Sequence, residues 1–333
     1  MAKKKLAVFT ATGCSACENS VLDVHFQISP VTPWADIAFW PYVTGSQWQD
    51  LDHVDRIDLC MFAGAVRTAA DRKAALKLRE KTRIMLAVGA CSAFGGMPGL
   101  VNLAAVRDEG NSAGADEGID PALPGTESRV SALSQIVDVD YVVPGCPPPK
   151  NLLWSAIQAL LCPGECTSRI SYAASRLPER ISQCITSGIL PPKGGTFAGE
   201  KAVCASCSRV KEEKKFRSAF RPYAIDPDPG RCLLEQGVLC QGIATREGCG
   251  GLCTAAGAPC RGCFGKAEAV YDPGAKMVSA VTSTFDSANA DEIEAMSNEF
   301  VDLAGTLYRY TMAAQCALPV GPAKDENDAG DVL

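Results

Sequence analysis

Seventeen of the 333 residues are cysteines, and eight of them crowd into residues 204–263. Cys232, Cys240, Cys249, Cys253, Cys260 and Cys263 stand among glycines with few large apolar neighbours, and the pair Cys204-Ala-Ser-Cys207 lies just upstream. A stretch so poor in apolar bulk cannot fold around its own side chains, so something else must hold it. Thiolates do this by ligating metal. Eight of them divide into two four-ligand sites, and tetrahedral sulfur sites take zinc or iron–sulfur clusters. A disulfide framework is the alternative and requires an oxidising compartment. A zinc ribbon built from Cys204/Cys207 and Cys260/Cys263 is another, but it leaves Cys232, Cys240, Cys249 and Cys253 without a role. The compact ligand run of bacterial ferredoxins is absent.

Four further cysteines fall where a fold would gather them. Apolar runs at residues 5–11, 35–43, 57–66, 83–89 and 137–143 predict strands, and helical patterns follow at 17–28, 67–81 and 151–161. Strands alternating with helices predict an α/β domain with a doubly wound parallel sheet. Cys14, Cys91 and Cys146 each follow the end of a strand by one to three residues. The carboxyl ends of the strands in such a sheet share one edge, where ligands bind. Three loops would converge there, and with Cys17 they supply four thiolates to one site. Glycines 13, 89, 95, 96 and 145 would let backbone approach a compact ligand, and Pro147, Pro148 and Pro149 would stiffen the loop carrying Cys146. Taken alone, Cys14/Cys17 could instead be a thioredoxin-like redox pair.

The chain is 47% hydrophobic and 21% charged, a globular composition. Its formal net charge of −6 argues against nucleic acid as a partner. The longest apolar run, residues 84–101, is broken by glycines and a proline, so no membrane span is expected. No export signal is read at the start, which makes the expected localisation cytoplasmic and the cysteines metal ligands rather than disulfides. Residues 107–129 read as a polar surface insertion and 191–195 as a linker, with the domain boundary between 165 and 200. Residues 290–316 carry the spacing of one amphipathic helix, and a polar tail follows from 325. Cys60 and Cys316 read as core filler, Cys162/Cys166 as a possible extra pair, and Cys184 has no assigned role. His25 and His53 are the only histidines; His25 reads as a satisfied helix residue. The basic run Arg209, Lys211, Lys214, Lys215, Arg217 and Arg221 reads as a solvated helix face or as a docking patch for an acidic redox partner.

Three separated motifs now carry a resemblance. Gly13-Cys14-Ser-Ala-Cys17-Glu18, Gly89-Ala-Cys91-Ser-Ala-Phe-Gly-Gly96 and Pro144-Gly-Cys146-Pro-Pro148 resemble the proximal-cluster motifs of [NiFe]-hydrogenase small subunits. The resemblance spans most of the chain. It implies a flavodoxin-like domain at 1–165, a linker at 166–200, and an irregular, mostly helical iron–sulfur domain at 201–333. It implies three [4Fe–4S] clusters: a proximal one on Cys14, Cys17, Cys91 and Cys146, a distal one on Cys204, Cys207, Cys232 and Cys240, and a medial one on Cys249, Cys253, Cys260 and Cys263. Two departures from the periplasmic members stand out. Cys204 replaces their usual histidine, and Cys253 stands where they often carry proline and a three-iron cluster. These features, with Leu22-Asp-Val-His25 and Gly96-Met-Pro-Gly-Leu100, look more like the cytoplasmic F420-non-reducing, methyl-viologen-reducing hydrogenases that feed heterodisulfide reductase. The implied partners are a [NiFe] large subunit, which would hold the hydrogen-splitting centre, and an iron–sulfur or flavin protein as acceptor, heterodisulfide reductase among them. The implied role is electron transfer, with no catalytic residue in this chain. An iron–sulfur subunit of a complex I-like reductase and a zinc-stabilised interaction protein are the other readings.

Overall fold

The computed structural model describes residues 3–23, 35–103, 125–161, 179–187, 189–212, 215–300 and 302–315. The first half is built on strands β1 (Lys4–Thr10), β2 (Ala35–Phe39), β3 (Ile57–Ala63), β4 (Val66–Thr68), β5 (Thr82–Val88), β6 (Thr126–Ser131), β7 (Tyr141–Val143) and β8 (Gly195–Thr196). Six of them form one sheet in the order β2-β1-β3-β5-β7-β8, and every pairing in it is parallel. The helices that pack on it or follow its strands include α1 (Ala16–Leu22), α2 (Ala69–Lys81), α3 (Gly89–Phe94) and α4 (Lys150–Leu161), beside the shorter Pro41–Thr44 and Glu179–Thr186.

Both faces of the central strands are buried, as a doubly wound sheet requires. On one face Leu59, Met61, Ile84 and Leu86 pack with Val21 of α1 and Leu153, Ile157 and Leu160 of α4. On the other, Cys60, Phe62, Met85 and Ala87 pack with Ala75 and Leu78 of α2. Strand alternation assigns each set to its face. α2 starts where Thr68 and Asp71 form a reciprocal capping box.

Asp140 ties the sheet together just ahead of β7. Its carboxylate accepts from Arg79 of α2 at 2.7 Å, from the Met85 amide of β5 at 2.8 Å and from Lys193 ahead of β8 at 2.6 Å. Burial pushes the group's pKa up, but Lys193, the Met85 amide and Arg79 together hold it below the usual carboxylate range. That duty starts β7 at Tyr141, later than the run from residue 137 suggested, because the segment before it turns back onto Leu133.

Other elements depart from the sequence expectation for similar local reasons. β2 stops at Phe39, since Pro41 opens a helical turn. The supposed insertion supplies β6, which pairs antiparallel with β4, and Glu127 there binds Arg72 of α2 at 2.8 Å. The stretch read as a linker supplies β8, the edge of the main sheet. Residues 104–124 lie outside the described residues.

Past β8 the chain runs through short 3-10 turns and isolated bridges, then α5 (Pro273–Thr282), α6 (Ala290–Asn298), α7 (Leu303–Leu307) and α8 (Met312–Gln315). The single helix expected over 290–316 is three, because Asp302 adopts the left-handed conformation and its carboxylate caps α7 at the Gly305 amide. Phe216, Met277, Phe285, Met296 and Leu307 form a core of their own. Phe264, Cys249 and Cys263 pack against the sheet's core instead, which joins the two halves. The described residues of the basic run, 209–212 and 215–221, are irregular rather than helical.

Candidate metal centres

Three loops at the carboxyl edge of the sheet carry the first group of thiols. Cys14 follows β1, and its loop is tied to the β3–β4 turn by Thr12–Ala65 backbone bonds in both directions. Cys91 lies in α3, directly after β5, and Cys146 follows β7. The Ala90 amide donates to the Gly145 carbonyl at 2.7 Å and fixes the second loop on the third. Cys17, in the first turn of α1, completes the group.

The four thiols feel one another's charge. Burial and then Cys91, Cys146 and Cys14 push Cys17 up to about 12, and burial with Cys146 and Cys14 pushes Cys91 up to about 11. Such thiols stay protonated in the empty protein at neutral pH, and a bound cation reverses that preference. The backbone comes close to the sulfurs. At Gly89 and Gly96, both with positive φ, a Cβ atom would overlap the sulfurs of Cys17 and Cys91 respectively. Glu18 is buried beside the group and accepts from the Trp40 indole at 3.2 Å; burial pushes its carboxyl up.

The second half brings together two more groups. Cys260 and Cys263 follow Pro259, and Cys263 is pushed up by burial and by Cys260, Cys249 and Cys253. Cys253 lies on the Leu252–Ala255 turn and is exposed. The other group surrounds Cys204, pushed up to about 11 by burial, Cys232 and Cys207, and Cys240, pushed to about 11 by burial with Cys204 and Cys232 among its neighbours. Cys207 Sγ sits 3.3 Å from Thr254 Oγ1.

The groups also adjoin one another. Cys146 of the first raises Cys263 of the second, and Cys240 of the third raises Cys260, whose amide donates to Cys240 Sγ at 3.3 Å. Cys146 and Cys263 thus join the first group to the second half, and Cys260 stands next to Cys240 and Cys204 as well as Cys249. Among the described residues no three Cys, His, Asp or Glu side chains are set to hold a single metal ion. The donor set suits iron–sulfur clusters, in which each iron takes one external thiolate.

Two side chains at these groups carried no signal in the sequence. Tyr310 was visible only as an apolar position in a helical pattern. Its carbonyl accepts from the Gly96 amide at 3.1 Å, next to the Cys91 loop, and its buried hydroxyl neighbours Cys146; burial and then the charge of Cys146 push the phenol's pKa up. Gln241 bonds through its amide to the Cys260 carbonyl and through its side chain to the Thr306 carbonyl at 2.7 Å, which fastens the second group to α7. Cys60 is fully buried in the sheet and takes no part. His25, Cys162, Cys166 and Cys316 lie outside the described residues, and Cys184 is half-buried away from all three groups of thiols.

Residues 14–160 match the protein family described as NADH ubiquinone oxidoreductase, 20 Kd subunit. A parallel sheet with thiols at its carboxyl edge and a match of that kind define a subunit of a redox enzyme. Full-length relatives narrow the class. The chain is 33% identical to a subunit of the F420-non-reducing hydrogenase of Methanococcus voltae, over 90% of this chain and 95% of that one. It is 32% identical to the corresponding F420-non-reducing hydrogenase subunit of Methanothermobacter thermautotrophicus, over 94% and 96%. A relative from Archaeoglobus profundus, 28% identical over 92% and 96%, is named as the iron-sulfur subunit of an F420-non-reducing hydrogenase. The chain belongs to this family of F420-non-reducing hydrogenase subunits, among the small subunits of [NiFe] hydrogenases, and is an oxidoreductase subunit. A solved [NiFeSe] hydrogenase chain from Desulfovibrio vulgaris Hildenborough aligns over 79% of this chain and 94% of its own with a TM-score of 0.48 and 18% identity, too loose a likeness to bear on the sites. Among the described residues no helix is long and apolar enough to cross a membrane.

Proposed function

We propose that this chain is the electron-transfer subunit of a cytoplasmic [NiFe] hydrogenase and that its three groups of thiols hold three [4Fe–4S] clusters. Cys14, Cys17, Cys91 and Cys146 hold the proximal one, Cys249, Cys253, Cys260 and Cys263 the medial one, and Cys204, Cys207, Cys232 and Cys240 the distal one. When bound, such clusters supply one-electron carriers whose potentials follow ligation, hydrogen bonds to sulfur and exposure. The observation that supports this reading is the gathering of thiols: Cys17, Cys249 and Cys263 pack on one core, and the Cys260 amide donates to Cys240 Sγ at 3.3 Å, with Cys14 and Cys204 exposed. The protein's own part is to hold each quartet, to exclude water from the buried links and to set their spacing.

Hydrogen is split in a partner large subunit that covers the Cys14/Cys91/Cys146 edge. The acceptor is a further iron–sulfur or flavin protein at the other end, with heterodisulfide reductase as the candidate that the resemblance names. The family match over residues 14–160 favours a complex I-like reductase subunit as the second reading. The thiol-rich half beyond residue 200 speaks against it, since that match does not extend there. Anaerobic purification with the co-purifying chains, followed by metal and sulfide analysis, tests the proposal. Three cubanes give about twelve irons per chain, with nickel confined to the partner. An iron content near eight removes one quartet, and stoichiometric zinc with no sulfide removes all three.

A further inference from the structure

Beyond the thiols, the second half carries a cleft of about 490 Å³ between the segment around Phe220 and the residues leading into α7 and α8. That is the size of a small-molecule site. Its charge is one-sided. Arg221, Arg261 and Arg309 line it, and none of the three is ion-paired among the described residues. The one carboxylate on the wall, Glu299, already accepts the Ala219 amide. Arg309 is held deeper than the other two, half-buried where Arg221 and Arg261 are exposed.

The remaining wall is apolar and flat. Phe220, Tyr223 and Phe300 are part of the lining, Phe220 and Tyr223 being exposed, Tyr223 by 88%, and Phe300 stacking on Phe285. Gln241, fixed to the Thr306 carbonyl, and the nearly buried Cys260 complete the lining. A bare inorganic anion would leave most of this volume and all of the aromatic surface unused. A single carboxylate would meet more positive charge than it could neutralise. A phosphate monoester carries close to two charges and accepts forked contacts from guanidinium groups, and an aromatic ring system stacks on Phe or Tyr.

We propose that this cleft binds a phosphorylated aromatic heterocycle of mononucleotide size, with its phosphate at Arg309 and Arg261 and its ring against Phe220 and Tyr223. The site does not depend on which cluster Cys260 ligates, so it stands or falls apart from the assignment of the quartets. FMN and riboflavin serve as probes, differing only in the phosphate. Calorimetric titration of the anaerobically purified small–large subunit complex is expected to give saturable FMN binding, with riboflavin at least tenfold weaker and inorganic pyrophosphate competing. Arg309→Gln is expected to weaken FMN at least tenfold while leaving riboflavin unchanged. Should that variant fail to assemble, exposed Arg261→Gln carries the same test. No saturable FMN binding, equal affinity for the two probes, or FMN affinity unchanged in both variants would overturn the proposal.

Discussion

Cys253 and Tyr310 do opposite things to the groups they join. In the proposed medial quartet Cys253 supplies the fourth external thiolate, from the first turn of a short helix where amides have no intrahelical acceptor. Proline at that position therefore removes a ligand without removing a helical hydrogen bond. Cys253→Pro is expected to leave the fold and the other two centres intact and to convert the medial one to a three-iron form of higher potential, because an anionic thiolate is gone. Electron paramagnetic resonance of the oxidised protein checks this. If no three-iron signal appeared, Cys253 would be no ligand, and Cys240, whose sulfur accepts the Cys260 amide, would be the next candidate for that corner.

Tyr310 instead brings a buried hydroxyl beside Cys146 of the proposed proximal quartet. It is 9% exposed and its carbonyl holds the Gly96 amide, so the ring is fixed next to Cys146, and we expect its hydroxyl to donate to that sulfur once a cluster is bound. A hydrogen bond to sulfur favours the more negative, reduced form of a centre. A net value of about 1 kcal/mol corresponds to roughly 40 mV for one electron, given about 59 mV per factor of ten. Tyr310→Phe is expected to lower the potential of the centre on Cys14, Cys17, Cys91 and Cys146 by about that amount. A redox titration of its spectroscopic signal, unchanged within error, would mean the hydroxyl does not tune it.

At the scale of elements, Asp140 makes the clearest case. One carboxylate gathers α2, β5, β7 and the approach to β8 through Arg79, the Met85 amide and Lys193. Its pKa is lowered by folding, so its contribution is complete above the unfolded carboxylate value of about 3.9 and is lost as pH falls through the lower folded value. Asp140→Asn is expected to destabilise the first half by ~1–3 kcal/mol at pH 7. Thermal unfolding of wild type and variant should differ most near neutrality and converge in acid. A gap that did not narrow at all as pH fell below the unfolded carboxylate value would assign the loss to packing instead. The same residue explains what could be read from the sequence and what could not. The strands β1, β3 and β5 and helices α2 and α4 were legible because their apolar runs bury whole faces. The cysteines after β1, β5 and β7 were legible because a parallel sheet puts those loops on one edge. β8 is only Gly195–Thr196 and has no periodicity to read, and β6 hides in a polar segment because its role is to pair with β4 and bind Arg72. The break at Asp302 was hidden by apolar spacing that continues on either side of it, since Ile293 and Met296 face the same core as Leu307.

For the whole molecule, what matters is which surfaces are left for partners. Cys14 and Cys146 are exposed at the sheet's carboxyl edge, and in the 3-10 turn after the Cys91 loop Met97 and Val101 are exposed too, Met97 by 50%. An exposed oxygen-sensitive ligand set beside unpartnered apolar side chains is what an obligate interface covers, and such interfaces are large and apolar. The far half has its own exposed aromatic residue, Tyr271, 91% exposed and partnered by Lys266 across its ring. If the large subunit docks on the sheet edge, a charge placed there is buried without a partner and one placed at Tyr271 stays in water. Met97→Asp is therefore expected to weaken association with the large subunit at least tenfold, about 1.4 kcal/mol, while Tyr271→Asp leaves it unchanged. Anaerobic co-purification followed by sedimentation gives the comparison. Equal recovery of the large subunit with both variants would move the interface away from the Cys91 loop, and with it the assignment of Cys14, Cys17, Cys91 and Cys146 as the quartet nearest the hydrogen-splitting centre.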